Sequence, residues 1–274
     1  MVDFSIELIT RRETTLKLAL DSIANQTYGS FEIVCANSSD DSNVSKILED
    51  YSVRHKEVGP VRHLMGRDLA HGLSQGKYSM IMDSTRILKP EALETLEPYI
   101  ADYGMVAIKE GSAGKGFWVR QADRYRSSSE RNVGDEMIVG DVKSFVLPRL
   151  YKRELLNTVF SSLRSIIPRD VFESIGYGEH HLIFQEAVES NASFYHYKAE
   201  DLLLHFEDTS VSSIYRKYKS YGKDQKILKG LTQYKAGSLN SHRRNMNLTQ
   251  LRDNAICLPL ISIRTLAFIV GMLS

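Results

Sequence analysis

Apolar residues recur along this chain in two alternating rhythms, one typical of strands and the other of helices. Short β-rich runs read "FSIELIT" at 4–10, "FEIVCA" at 31–36 and "KYSMIM" at 77–82, and residues 13–25 carry apolar side chains at helical spacing. The same pattern predicts strands at 105–110 and 202–206, and helices after residue 41, near 66–75, after Pro90, from about Pro168 and over 180–190. Strands that alternate with helices predict an α/β fold with a mostly parallel sheet flanked by helices.

Residues 111–145 break this alternation. The segment is rich in Gly, Ser and charged residues, as in "GSAGKG" and "RYRSSSERNVGDE", and shows no sustained period. We expect a long surface loop that serves as a mobile lid over the ligands, because loops of this length are usually functional or disordered.

Composition and charge divide the chain at about residue 210. Hydrophobic residues make up 42% and charged residues 25% of the 274 residues, which is ordinary for a globular protein. Residues 1–210 carry 24 basic and 32 acidic side chains, whereas residues 211–274 carry eleven basic and two acidic ones. We predict a main domain over 1–210 and a basic helical extension over 211–274 that meets an anionic partner. The alternative is an ordinary solvated basic helix.

Cysteine usage and the two ends of the chain bear on its location. Two cysteines cannot build a disulfide framework or a zinc site, and "MVDFSIELIT" lacks the pattern of a signal peptide, so we expect a cytoplasmic protein. Residues 255–274 are mostly apolar and long enough for about 30 Å of hydrocarbon, but Pro259 and Arg264 interrupt them. We predict a helix that lies in the membrane interface with Arg264 snorkelling to the surface. The alternative is a helix packed on the domain.

Four polar segments are predicted to fall at the carboxyl ends of strands, the edge where open α/β sheets bind ligands. None of them contains a GxGxxG or a P-loop, which argues against a dinucleotide oxidoreductase or an NTPase. The segments are Thr10-Arg11-Arg12, residues 36–41 ("ANSSDD"), Gly66-Arg67-Asp68 and Asp83-Ser84-Thr85.

Together these segments resemble the family 2 glycosyltransferases, which are inverting enzymes of the GT-A fold that use nucleotide-sugar donors. The stretch "ALDSIANQTYGSFEIVCANSSDD" at 19–41 is similar to the family's "ALxSLLxQTYxxFEIxVVDDGSxD". The stretch "RDLAHGLSQGKYSMIMDSTRILKP" at 67–90 is similar to "RNxGxxxAxGxYxxFLDxDDxxxP". The resemblance implies a Rossmann-like GT-A fold with a mixed, mostly parallel sheet, and it is loose beyond Pro90 until about residue 179.

The resemblance also implies a site for the nucleotide. Its residues would be Thr10 and Arg11 at the first strand end, Asn37 beside the base, Arg67 and Asp68 beside the base and ribose, and Asp83. For Asn37 the alternative is a role in the turn.

A cation is the usual partner of the leaving diphosphate in the family. Asp83 is the first position of the Asp-x-Asp motif, but Thr85 replaces the second, so the implied Mn²⁺ or Mg²⁺ site would rest on Asp83 with His205. The basic segment 213–226 is a second candidate for balancing the charge of the diphosphate. Its residues Arg216, Lys219 and Lys223 would hold the diphosphate or an acceptor phosphate.

The general base is implied by "GYGEHHLIFQEA" at 176–187, which is similar to the family's Glu-Asp element. This alignment assigns the base to His180, or to Glu179 if the register slips by one. A histidine suits proton transfer at neutral pH, and a helix N-terminus would keep it uncharged. The alternative for His180 is a polar surface residue.

The predicted function is inverting transfer of a sugar from a nucleoside diphosphate, with UDP favoured, to a glycan or polyprenyl-linked acceptor. A rival from another class is a degenerate glycosyltransferase that binds a nucleotide or a partner without turnover. A basic nucleic-acid-binding module is a third possibility, but no recognisable motif supports it, and we expect no nucleic-acid partner. Metal-dependent donor hydrolysis, binding without hydrolysis, and a steep salt dependence on nucleic acid distinguish the three.

Overall fold

The predicted alternation of strands and helices is present in the structure. The computed structural model describes residues 2–11, 14–130, 136–137, 147–231 and 248–274. Within these ranges the strands are β1 Phe4–Thr10, β2 Phe31–Asn37, β3 Arg54–Glu57, β4 Tyr78–Asp83, β5 Arg86–Leu88, β6 Met105–Ile108, β7 Glu110–Ala113, β8 Glu136–Met137, β9 Pro148–Lys152, β10 Phe194–Tyr197 and β11 Leu203–Phe206. The helices are α1 Leu16–Ala24, α2 Ser42–Asp50, α3 His63–His71, α4 Ala92–Asp102, α5 Phe117–Glu130, α6 Arg153–Ile166, α7 Arg169–Ser174, α8 Glu179–Glu189, α9 Val211–Lys229, α10 Leu248–Ile256 and α11 Leu258–Leu273.

The strands form one large mixed sheet and one small sheet. The large sheet has the order β3-β2-β1-β4-β9-β6-β10-β8, and the small one has the order β5-β11-β7. β1 runs parallel to β2 and β4, and β9 lies antiparallel between β4 and β6. Strand β11 pairs with β5, which follows β4 directly, so the small sheet lies next to the end of β4.

Helices cover both faces of the large sheet because each helix presents an apolar stripe to it. On one face, α1, α2 and α4 bury Leu20, Leu48 and Leu96 against the sheet. On the other face, α6 and α8 bury Phe160 and Phe184. This three-layer arrangement leaves the carboxyl ends of the parallel strands open as the ligand edge.

The prediction of a loop throughout 111–145 is wrong for its first half. Residues 110–113 form β7 and residues 117–130 form helix α5. The many charged residues of α5 obscure its helical pattern of apolar residues in the sequence. In the structure, Ala122 packs with Trp118 and Tyr125 against α9 and α11. Residues 131–135 and 138–145 of the predicted lid lie outside the described residues, so the lid stays a prediction.

The two long C-terminal helices pack closely together. Gly222 of α9 and Gly271 of α11 lie at the crossing, and a Cβ on Gly222 would lie closer than 3.0 Å to the carbonyl oxygen of Phe268. The two backbones approach this closely because both positions are glycine. The extension therefore includes a packed helix pair that also buries Ile214 and Leu260 against α5.

Arg264 takes a different place from the predicted one. Its guanidinium lies 4.8 Å from the ring centroid of Tyr218 and 5.4 Å from that of Tyr125, so it faces the protein rather than snorkelling outward. The opposite face of α11 exposes an apolar stripe, which we call the α11 stripe and which consists of Leu258, Leu266, Ile269 and Leu273. Among the described helices, none has the length and hydropathy needed to cross a membrane.

Candidate functional site

The carboxyl ends of three parallel strands bring predicted site residues to one edge. Thr10 is the register partner of Asn37, and Ile9 is the partner of Asp83. The Thr15 hydroxyl before α1 donates a hydrogen bond of 2.6 Å to the carbonyl oxygen of Ser84. The loop after β1 is therefore tied to the loop after β4, and the ends of the strands form one continuous rim.

Asn37 is fully buried and anchors the turn that follows β2. Its side-chain amide nitrogen donates to Glu57 at 2.9 Å and to Ser45 at 3.2 Å, and its side-chain oxygen Oδ1 accepts from the Ser39 N–H at 3.0 Å. These contacts match the turn role that was the alternative for this residue. Arg11, by contrast, is exposed at the end of β1.

Asp83 at the end of β4 is held by two arginines. One carboxylate oxygen accepts from Arg67 of α3 and the other from Arg86 at the start of β5. Arg67 is fully buried and also donates to the carbonyl oxygen of Met82 at 2.7 Å. Both oxygens of Asp83 are therefore engaged by guanidinium groups.

The start of α8 brings Glu179 and His180 to the same arginine. The guanidinium of Arg67 lies 3.6 Å from the carboxylate of Glu179 and 3.4 Å from Nε2 of His180. Gly178 precedes them with φ of +95°, a conformation that favours glycine, and allows the sharp entry into the helix. The structure thus brings together Asp83, Arg67, Glu179 and His180, which the sequence had placed in one site.

Two further residues close these contacts into what we call the charged ring. Glu110 of β7 accepts from Arg86 at 3.3 Å and from Arg149 of β9 at 2.9 Å, and Arg149 also donates to Nε2 of His180. The charged ring consists of Asp83, Arg67, His180, Arg149, Glu110 and Arg86. Sequence reasoning missed Arg86, Glu110 and Arg149. The signal for Arg149 was an arginine within the apolar run "FVLPRLY".

Burial and the arginines determine the protonation of the charged ring. Burial lowers the pKa of Arg67 and Arg86 to about 10, so both stay charged at neutral pH. Burial alone would raise the pKa of Glu110, but Arg86 and Arg149 outweigh it and hold that pKa well below the ordinary value. Burial, followed by Arg149 and Arg67, lowers the pKa of His180 far below its usual range, so its imidazole is neutral. Its Nε2 then accepts the hydrogen bond from Arg149.

His205 of β11 lies opposite Arg86 in the pair formed with β5. Its Nδ1 is 2.9 Å from Glu207, which is also paired with Arg126. Burial lowers the pKa of His205 to about 4 despite the neighbouring carboxylate of Glu207. This histidine is therefore neutral and already bound to Glu207.

The residues expected to hold a divalent cation do not fit one. Both oxygens of Asp83 face arginines, Thr85 offers only a hydroxyl, and His205 is paired with Glu207. In the part of the chain that the structure describes, no three His, Cys, Asp or Glu side chains are arranged to bind a metal ion. The cation site predicted at Asp83 and His205 is not supported by this donor set.

Four of the predicted site residues lie away from the charged ring. Asp68 points to α6, where it pairs with Arg164, and burial raises its pKa. Arg216 and Lys223 are exposed on α9, and Lys219 on the same helix is half-buried.

Helix α9 contacts the entry to α8 through what we call the Asp224 latch. The buried carboxylate of Asp224 accepts two hydrogen bonds from the guanidinium of Arg62, at 2.8 and 2.9 Å, and one from the backbone N–H of Tyr177 at 2.6 Å. Tyr177 also packs its ring against Tyr221 of α9, with the centroids 4.2 Å apart. Helix α9 thus holds Tyr177, which lies two residues before Glu179.

Known proteins resemble this chain in sequence and in structure. The family model described as "Glycosyl transferase family 2" matches residues 8–160. A comparison with curated proteins gives no significant match. Among solved structures, S. aureus TarS 1-349 in complex with UDP-GlcNAc has a TM-score of 0.61 at 16% identity, with 97% of this chain and 89% of that chain covered. The mannosyltransferase PcManGT from Pyrobaculum calidifontis, in complex with GDP-Man and Mn²⁺, has a TM-score of 0.58 at 13% identity, with 98% and 86% covered. The predicted GT-A fold is confirmed.

Proposed function

This chain belongs to glycosyl transferase family 2, and from that premise we propose that it transfers a sugar from a nucleoside diphosphate to a glycan or a polyprenyl-linked acceptor. The observation that carries the proposal is the meeting of the rim formed by β1, β2 and β4 with the start of α8 around Asp83 and Arg67. The rim is the edge at which open α/β sheets bind their ligands.

The donor class follows from the rim and from the similar structures. The structures of TarS hold UDP-GlcNAc or UDP, and that of PcManGT holds GDP-Man, so a nucleotide sugar suits this fold. We favour UDP over GDP. The donor would contact Thr10, Arg11 and the turn built on Asn37, with its diphosphate toward the charged ring.

The reaction is an inverting single displacement. The acceptor hydroxyl attacks the anomeric carbon opposite the diphosphate while a general base takes its proton, and the bond to the diphosphate oxygen breaks. Of the two candidates at the start of α8, we favour Glu179. The Nε2 lone pair of His180 already accepts from Arg149, and the lowered pKa of His180 makes it a weak base at neutral pH.

Nucleoside diphosphate release from a panel of UDP- and GDP-sugars tests the function. We expect release by the wild type, loss of at least about a hundredfold in Glu179→Gln, and a smaller loss in His180→Gln. If His180→Gln loses more than Glu179→Gln, the base assignment is reversed. Nucleotide binding with no release from any donor would favour the degenerate, non-catalytic alternative.

A lipid-linked acceptor would place the protein at the cytoplasmic face of a membrane. The α11 stripe supports this proposal because its four large apolar side chains are all exposed on one face of the helix. Arg216, Lys219 and Lys223 of α9 would add attraction for anionic headgroups or an acceptor phosphate.

Sedimentation with vesicles that contain phosphatidylglycerol tests the membrane contact. Leu266→Glu should release the protein from the vesicles, whereas Leu18→Glu, at a side chain of similar exposure on α1, should not. Equal binding of both variants would remove the α11 stripe from this role.

A further inference from the structure

Sugar transfer from a nucleoside diphosphate requires groups that balance the charge of the leaving diphosphate. The charged ring indicates which groups do so. This inference rests on the proposed function, because it assumes that a nucleoside diphosphate leaves at the strand-end rim. A carboxylate pair with a bound cation is one solution. At this rim the carboxylate of Asp83 is instead bound on both oxygens by Arg67 and Arg86.

Arg86 and Arg149 have donor capacity left over. Arg86 uses its Nε on Glu110 and one terminal nitrogen on Asp83, while Arg149 uses its Nε on Glu110 and one terminal nitrogen on His180. The second terminal nitrogen of each has no hydrogen-bond partner among the described residues. Both residues are slightly exposed, at 7% and 8%, whereas Arg67 is fully buried. Among the described residues, each of the two thus has a free N–H edge, and that of Arg86 belongs to the guanidinium that contacts Asp83 at the end of β4.

The distribution of charge supports the same assignment. Arg67 lies between two carboxylates, those of Asp83 and Glu179. Arg86 shares Asp83 with Arg67 and shares Glu110 with Arg149, so the two outer arginines have fewer carboxylates than guanidinium groups around them. Guanidinium groups bind phosphate oxygens through two parallel hydrogen bonds, which a point charge cannot do.

We propose that Arg86 and Arg149 donate to the diphosphate of the nucleotide and take the place of a divalent cation at this site. The diphosphate would lie against their free N–H edges. Glu110 would keep the two guanidiniums side by side, because its carboxylate accepts from Nε of Arg86 at 3.3 Å and from Nε of Arg149 at 2.9 Å. The charge that develops on the leaving oxygen is then balanced by groups of the chain itself.

Calorimetric titration of the full wild-type chain with UDP and with GDP tests this directly, with each nucleotide measured in EDTA, in Mg²⁺ and in Mn²⁺. We expect one nucleotide to bind with dissociation constants that agree within about threefold across the three conditions. A dissociation constant more than tenfold weaker in EDTA overturns the inference and leaves the proposed function standing. Absence of binding under every condition overturns the donor site and the inference with it.

Three variants assign the effect to residues. Arg86→Lys and Arg149→Lys keep the charge opposite Asp83 and Glu110, and each should weaken nucleotide binding in EDTA by about tenfold, with no rescue by Mn²⁺. Arg169→Lys, in an exposed pair with Glu173 on α7, is the matched control. Unchanged affinity in both ring variants, with unchanged melting temperatures, would overturn the assignment. If a ring variant does not fold, the wild-type titration still decides.

Discussion

The Asp224 latch predicts that helix α9 affects the candidate site through the entry to α8. Asp224→Ala removes two hydrogen bonds from Arg62 and leaves the Tyr177 N–H without its acceptor. Tyr177 lies two residues before Glu179 and Arg62 lies directly before α3, so the change loosens the segment that positions Glu179 and its link to α3. Asp224→Asn retains an acceptor for Tyr177 and should have an intermediate effect.

The size of the effect follows from the burial of the two partners. Removal of one member of a buried ion pair costs about 3–5 kcal/mol. Only Asp224 is buried here, since the side chain of Arg62 is 39% exposed and can turn to water. We therefore expect a loss of about 2–3 kcal/mol in the free energy of unfolding. At roughly 2–4 °C per kcal/mol, the melting temperature should fall by about 4–12 °C.

Activity should fall further than stability explains. A misplaced catalytic group costs up to about a hundredfold in rate for a displacement of about 1 Å, so kcat should drop by about ten- to a hundredfold while KM for the donor changes little. Steady-state kinetics below the melting transition measure this. Leu48→Ala in α2 is the matched control, because it should cost about 2–5 kcal/mol and leave kcat unchanged.

A variant Asp224→Ala that melts at a lower temperature but keeps the wild-type kcat would contradict a positioning role for the Asp224 latch. In that case α9 would stabilise the domain without positioning α8. Equal losses of kcat in Asp224→Ala and Leu48→Ala would also contradict it, because the loss would then follow general destabilisation.

Two further predictions concern pH and the helix crossing. The lowered pKa values of His205, at about 4, and His180 mean that the unfolded chain takes up protons near pH 6.5 before the folded chain does. The free energy of unfolding should therefore fall below pH 6.5 by up to about 1.4 kcal/mol per pH unit for each histidine, and His205→Asn should flatten the slope of urea titrations at pH 7, 6 and 5. A pH-independent wild type would contradict this. Gly222→Ala should lower the melting temperature because its Cβ meets the backbone of α11, whereas Gly29→Ala, with nothing within 4 Å, should not. A higher melting temperature in Gly222→Ala, which helix propensity alone predicts, would show that the crossing of α9 and α11 is loosely packed.

Most of the sheet could be predicted from the sequence, because its strands bury continuous apolar runs between two layers of helices. β1, β2 and β4 follow the predicted segments within one or two residues. Helix α5 was missed because its charged positions outnumber the apolar ones that face α11. The inward turn of Arg264 was missed because the rings of Tyr125 and Tyr218 come from two distant segments.

The site could be predicted only in part, for a related physical reason. Asp83, Arg67 and Glu179 stand in segments that resemble family motifs, and the fold brings them together. The ion pairs through Glu110 join residues 24 and 39 positions apart, and the contact between Arg149 and His180 spans 31. No local pattern carries such pairings, because they arise only when β5, β7 and β9 meet.

Proton NMR of the reaction shows whether the chain transfers a sugar and with which anomeric configuration. The wild-type chain is incubated with the nucleotide sugar that releases diphosphate fastest and with a polyprenyl-linked or glycan acceptor, and the anomeric signals are followed in time. We expect the donor signal to disappear while a product signal with the opposite anomeric configuration grows, and we expect neither change with Glu179→Gln. A product with retained configuration, or an unchanged donor signal at concentrations that saturate binding, would contradict inverting sugar transfer.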